Sequence, residues 1–132
     1  MKYPLSALAN AENAYWSVQE ALKLHFPNKK ETSIIEIGSG LGYLTYSLNA
    51  EGYTAKGVDI SKEAVQKANA KYGDYYEAGD IIVLSEKFKE SFDCVIMTEL
   101  IEHVEDPKKF IAASLSMLKK GGKLIVTTPN KS

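Results

Sequence analysis

The chain has 132 residues, of which 45% are apolar and 25% charged, and its formal net charge is −1. That length suits one domain with one sizeable core, and so even a charge balance argues against a polybasic nucleic-acid or lipid binder. All 16 basic residues are lysine; the planar guanidinium fork that suits phosphate and guanine is missing, so a nucleic-acid partner is disfavoured.

The opening stretch MKYPLSALAN has no sustained apolar run, so neither a signal peptide nor a membrane span is expected and a cytoplasmic protein is the default. An N-terminal helical segment is expected within 1–30, with Leu8, Tyr15, Val18, Leu22 and Phe26 at mostly helical spacings and Pro27-Asn28 as its stop. His25 belongs at its surface or boundary. Strand β1 is expected at 33–37, a short β-branched run. A helix over 41–51 ends at Gly52, and β2 follows at 53–58. Ser61 is a good N-cap with Glu63 in the first turn of the next helix, and Gly73 closes it.

A short β3 is expected at 75–78 and a continuous apolar β4 at 92–97. The latter contains Cys94, the one cysteine, best read as a small buried hydrophobe. Asp106-Pro107 is a cap followed by proline at the first helical position. Phe110, Ile111, Leu115 and Leu118 mark the face of that helix, and Gly121-Gly122 ends it before β5 at 123–128. Strands that alternate with helices argue a mostly parallel sheet with helices on both faces. In such sheets ligands bind beyond the carboxyl ends of the strands, so functional residues are expected just after each strand.

After β1 stands EIGSGLG, with Gly38, Gly40 and Gly42 alternating and Glu36 two places before the first glycine. Glycine lets backbone approach a ligand closely and adopt conformations closed to other residues. The dinucleotide fingerprint G-x-G-x-x-G would need a third glycine where Tyr43 stands, and an acid beside a pyrophosphate would be repulsive. An acid suits a ligand with a positive end. Tyr43 and Tyr46 are expected to pack rather than to bind. After β4, Glu99, Glu102 and His103 fall at i, i+3 and i+4, one face of a helical turn. Two carboxylates and an imidazole could hold a divalent cation such as Mg²⁺, wall a metal-free polar pocket, or simply serve the local structure.

With these residues in view, the chain resembles the class I S-adenosylmethionine-dependent methyltransferases over nearly all of 33–130. EIGSGLG is similar to their first motif, GVDIS with Asp59 to the second, Gly79-Asp80 to the third, FDCVIMTELIEHV to the fourth and LKKGGKLIVTTPN to the fifth. The resemblance implies an α/β fold, a Rossmann-like three-layer sandwich with strand order 3-2-1-4-5, and S-adenosylmethionine as cofactor. It places Glu36, Gly38, Ser39, Gly40 and Gly42 around that cofactor. Asp59 would face the ribose hydroxyls and Ile60 the adenine ring, with Asp80 and Ile81 at the adenine amino group and Thr98 and Glu99 after β4. His103 would stand where a base can take the proton of an acceptor hydroxyl.

Glu-x-x-Glu-His followed by HVEDP is closest to the ubiquinone-biosynthesis O-methyltransferases, implying transfer to a small-molecule hydroxyl. Glu-x-x-Glu-His also occurs in the small-RNA 2′-O-methyltransferases, which use a further histidine, and none follows His103. A non-catalytic module is the remaining alternative. The family sheet ends in a strand hairpin after β5, and too few residues follow Asn130 to build one. A C-terminally truncated core is therefore expected, with an edge strand open to self-association.

Overall fold

The computed structural model describes residues 17–98 and 104–127. The described part opens in helix at 17–25 (α1), followed by a 3₁₀ turn at Lys29–Glu31. The order then runs β1 Ser33–Ile37, α2 Tyr43–Ala50, β2 Thr54–Asp59, α3 Lys62–Tyr72, β3 Tyr76–Ala78, α4 Ile81–Lys87, β4 Phe92–Thr98, α5 Pro107–Ser116 and β5 Leu118–Thr127. The five strands form one parallel sheet in the order β3-β2-β1-β4-β5. This is the Rossmann-like arrangement expected from the sequence.

Residues alternate between the faces of a strand, and β1 and β4 divide their side chains accordingly. Ile35, Ile37, Val95 and Met97 enter one cluster with Val58, Ile81, Phe110 and Met117. Ile34, Cys94 and Ile96 enter the other with Val18, Leu22, Leu48 and Ala55. Helices α4 and α5 therefore cover one face, while α1 and α2 cover the opposite one. Val65 and Ala68 of α3 pack on Tyr76 of β3 in a third, smaller cluster. Cys94 is fully buried, as the sequence implied, and burial followed by the nearby Asp93 charge pushes its thiol up to about 12. His25 is exposed.

Two elements depart from the sequence reading. The sequence assigned no helix to 81–87. There Asp80 caps α4 by accepting from the Ile82 N–H at 2.9 Å, and Ile81 and Ser85, one turn apart, are buried. The second departure is Gly121-Gly122, which does not end α5. That helix stops at Ser116, and the pair lies inside β5. Between Phe92 and Cys94 on β4, the partners on β5 advance from Leu118 to Lys123, so the extra residues bulge. A side chain at Gly122 would stand 2.9 Å from the Asp93 carbonyl, which is why glycine sits there.

Candidate functional site

The carboxyl ends of β1, β2 and β3 open onto a cleft of about 240 Å³. Its walls are Ile37 and Val58 from the strand ends, Ile81 from α4, Val104, and Phe110 from α5. Gly38, Asp59, Ile60, Gly79 and Asp80 complete the lining. The acids come from the last residue of β2 and the turn after β3, where the strand-end rule puts ligand-binding groups.

The glycine-rich turn is held from within. Gly38, Gly40 and Gly42 have φ of 81°, 51° and 91°, left-handed values that glycine tolerates and other residues resist. The Gly38 and Ser39 N–H groups both donate to the Val58 carbonyl, at 2.8 and 3.0 Å, and Gly42 donates to the Ser39 carbonyl at 2.8 Å. The Gly40 N–H donates to Asp59 Oδ2 at 2.8 Å. A side chain at Gly40 would meet nothing within 4 Å, so this stretch of backbone faces open space.

Asp59 joins two turns, since its Oδ1 also accepts from the Ser61 N–H at 2.9 Å. A carboxylate oxygen has two acceptor positions, so both oxygens keep capacity toward the cleft. Asp80 uses Oδ1 for the α4 cap, and its Oδ2 has no partner among the described residues. Ile60 is 77% exposed at the rim, and an apolar side chain left open beside two acids suits a flat apolar ring with polar edges.

Glu36 and Ser39 lie deeper. Glu36 is 4% exposed, and its Oε1 accepts from the Thr45 hydroxyl at 2.7 Å. Ser39 is buried with its hydroxyl unpartnered among the described residues. Its Cβ lies 2.8 Å from where a side chain on Gly57 would begin. The Ser39 side chain thus sits under the turn, toward β2, and not in the cleft lining. Tyr76 is buried beside it, and its hydroxyl donates to the Gly42 carbonyl. Burial first, then the Glu36 charge, raises the Tyr76 phenol far above its usual range, so it stays a donor. Tyr46 packs as expected, stacking on Tyr72 with ring centroids 4.6 Å apart, whereas Tyr43 is 58% exposed.

Gly38, Asp59, Ile60, Asp80 and Ile81, all singled out in the sequence, therefore come together at one cleft. Glu99, Glu102 and His103 lie outside the described residues, as does the side chain of Thr98. The sequence reading missed the walls Val104 and Phe110. Ile37 and Val58 could have been found as the last inward residues of β1 and β2. No cluster of metal-ligating side chains occurs among the described residues, and no helix among them is long and apolar enough to cross a membrane.

The donor set of the cleft can be tested against S-adenosylmethionine, which the motifs imply. That molecule brings hydroxyls, an amino group and an aromatic ring but no phosphate. The described lining offers two carboxylates, apolar walls and no lysine, so the residues fit it.

A family model described as a methyltransferase domain matches residues 11–132. A ubiquinone biosynthesis O-methyltransferase from Coxiella burnetii is 32% identical over 108 residues, covering 78% of this chain and 46% of that protein. The structure of an S-adenosylmethionine-dependent methyltransferase from Thermotoga maritima is 33% identical, with a TM-score of 0.65, covering 85% of this chain and 50% of the other. One from Mesorhizobium loti, at 24% identity and a TM-score of 0.68, covers 83% and 51% and shares the fold. The chain spans about half the length of the curated relatives it matches. With its parallel sheet in this strand order, its glycine-rich turn and its paired acids, the chain belongs to the methyltransferase-domain family, whose S-adenosylmethionine-dependent members it matches in both sequence and fold.

Proposed function

We propose that this chain is the cofactor-binding core of an S-adenosylmethionine-dependent methyltransferase that methylates a small-molecule hydroxyl. The observation that carries the cofactor reading is the use of the loop N–H groups. Those of Gly38, Ser39, Gly40 and Gly42 are all engaged inside the protein. A dinucleotide fold needs such groups for its pyrophosphate. Here the Asp59 carboxylate occupies the Gly40 N–H instead, which places negative charge where a pyrophosphate would bring more.

When bound, S-adenosylmethionine supplies an electrophilic methyl on a sulfonium. The chain's own residues supply position. Asp59 would accept from the ribose hydroxyls, Asp80 would accept from the adenine amino group, and Ile60 and Ile81 would give the ring its apolar surroundings. Holding the acceptor oxygen in line at about 3–3.5 Å provides most of the acceleration. His103 is the residue we assign to take the acceptor proton; a metal held by Glu99, Glu102 and His103 would replace that role. The hydroxyl acceptor rests on the Glu-x-x-Glu-His sequence and on the likeness to a ubiquinone biosynthesis O-methyltransferase.

Thermal melting tests the cofactor. S-adenosylhomocysteine at 100 times its Kd should stabilise the fold by about 2.7 kcal/mol, while NAD should leave the melting temperature unchanged. Equal shifts with both would overturn the reading.

A further inference from the structure

We infer that Tyr76 is a positioning residue that fixes the glycine-rich turn from below and so sets cofactor affinity. The inference rests on the proposed cofactor reading, and it concerns a residue that no motif singles out.

Tyr76 opens β3 at the edge of the sheet, in register with Gly57 of β2. Its backbone is clamped by one side chain of α3. The Tyr76 N–H donates to Asn69 Oδ1 at 3.1 Å, and the Tyr76 carbonyl accepts from Asn69 Nδ2 at 3.2 Å. From that anchored start the ring crosses β2 over Gly57. A Cβ on Gly57 would stand 2.7 Å from the ring's Cδ1. The ring ends beneath Gly42, where a Cβ would stand 2.9 Å from both Cζ and the hydroxyl oxygen. The hydroxyl then donates to the Gly42 carbonyl, which also accepts the first helical bond of α2, from the Tyr46 N–H at 3.1 Å.

One ring therefore crowds two glycines. Gly57 opens the second motif, GVDIS, and any side chain there would displace Tyr76 or Ser39. Gly42 is the last glycine of the first motif; its φ of 91° favours glycine, and its missing side chain makes room for the Tyr76 ring and the Ala68 methyl. The strut joins the anchored α3 to the point where the turn becomes α2, while the cleft lies at Gly38, Asp59 and the strand ends. Tyr76 is not in the cleft lining, so it acts through the turn.

The test uses Tyr76→Phe, which keeps the ring and loses the donor, and Gly57→Ala, which keeps the donor and crowds the ring. Gly57 carries no left-handed φ, so its substitution reports crowding, of the Tyr76 ring and the Ser39 side chain together, and Tyr76→Phe isolates the tyrosine. Tyr53→Phe is the control, a buried tyrosine at the opposite end of β2 whose hydroxyl bonds the Phe26 carbonyl. Calorimetric titration with S-adenosylhomocysteine is paired with amide hydrogen exchange of the ligand-free proteins. We expect Tyr76→Phe to weaken binding about two- to tenfold, the equivalent of one lost hydrogen bond, and Gly57→Ala to weaken it at least as much. Exchange should quicken at Gly40 and Gly42 and stay unchanged at Ile35 and Val95, and Tyr53→Phe should bind as the wild type does.

Wild-type affinity in Tyr76→Phe, or an equal loss in Tyr53→Phe, would overturn the inference. A wild-type protein that fails to bind S-adenosylhomocysteine would instead overturn the cofactor reading. In that case the exchange rates at Gly40 and Gly42 still decide whether Tyr76 holds the turn: unchanged rates in Tyr76→Phe refute it.

Discussion

Replacing Asp59 should damage both the empty fold and cofactor binding, and the two losses can be measured apart. In the ligand-free protein Asp59→Ala removes two charge-assisted bonds, from the Gly40 N–H at 2.8 Å and the Ser61 N–H at 2.9 Å. Such bonds contribute about 1.5–3 kcal/mol each when shielded. Asp59 is half-buried and water can reach the freed N–H groups, so about 1–3 kcal/mol in total is the reasonable expectation. For a chain of this size that lowers the melting temperature by about 3–15 °C. Binding loses the ribose contacts as well, and a turn no longer pinned at Gly40, which together should raise the Kd for S-adenosylhomocysteine by at least about tenfold. Asp59→Asn separates the effects: it keeps one acceptor oxygen but faces a second N–H with an amide donor, so it should fold better than the alanine variant and still bind weakly. Urea unfolding without ligand and calorimetry with it provide the two readouts. Unchanged affinity in Asp59→Ala, measured well below its melting point, would refute the assignment and leave Asp59 as a turn residue.

Three further outcomes are expected. Cys94 is fully buried and its thiol is pushed up to about 12, so a thiol reagent at neutral pH should label the native protein only as fast as it opens, and label the urea-unfolded chain at once. At Asp93, burial raises the carboxyl but is outweighed by the Ser33 N–H and hydroxyl and by Lys119, leaving it below its usual value of 3.8. A depressed folded value means stability that is present above 3.8 and lost as pH falls through the folded pKa; Asp93→Asn should therefore flatten the acid limb of a stability–pH curve below about pH 4. In a protein with demonstrated methyl transfer, a chelator should leave the rate unchanged and His103→Ala should slow it by about 10²–10⁴-fold, whereas loss with chelator and recovery with Mg²⁺ would assign Glu99, Glu102 and His103 to an ion.

Strands β1 and β4 were legible because they are largely buried on both faces and so read as apolar runs bounded by turn residues, whereas β2, TAKGVD, buries only Ala55, Gly57 and Val58. Helix α4 was not. Its seven residues begin with Ile81-Ile82-Val83, a strand-like composition that becomes helical because Asp80 caps it and Ile81 packs against the sheet. Gly121-Gly122 misled for the opposite reason, since a glycine pair after a helical pattern usually stops the helix, and only the β4–β5 register and the close approach to the Asp93 carbonyl reveal a bulge. At the site, Asp59 and Asp80 could be found by their places after β2 and β3. Val104 and Phe110 could not, because they come from beyond β4 in the chain and reach the cleft only through the packing of α5 on the face that also holds Ile81. Tyr76 was equally hidden: local sequence gives no sign that a ring passes under a glycine two strands away.

Among the described residues, the three acids singled out around the cofactor motifs share a feature that composition does not display. Each engages the protein itself before any ligand arrives: Glu36 the Thr45 hydroxyl, Asp59 the Gly40 and Ser61 N–H groups, and Asp80 the Ile82 N–H. Two of these bonds hold the start of a helix, at Ser61 before α3 and at Ile82 in α4, where a negative charge is also favoured by the helix dipole. On the proposed cofactor reading, the carboxylates at the cleft are therefore oriented by the backbone before any ligand arrives, which leaves little ordering to be done on binding. The same economy makes each acid doubly sensitive. A substitution that removes a ligand contact also loosens a strand–helix turn, so affinity loss alone never identifies a ligand-binding acid in this fold. What identifies one is a neutral isostere that keeps the turn and still fails to bind.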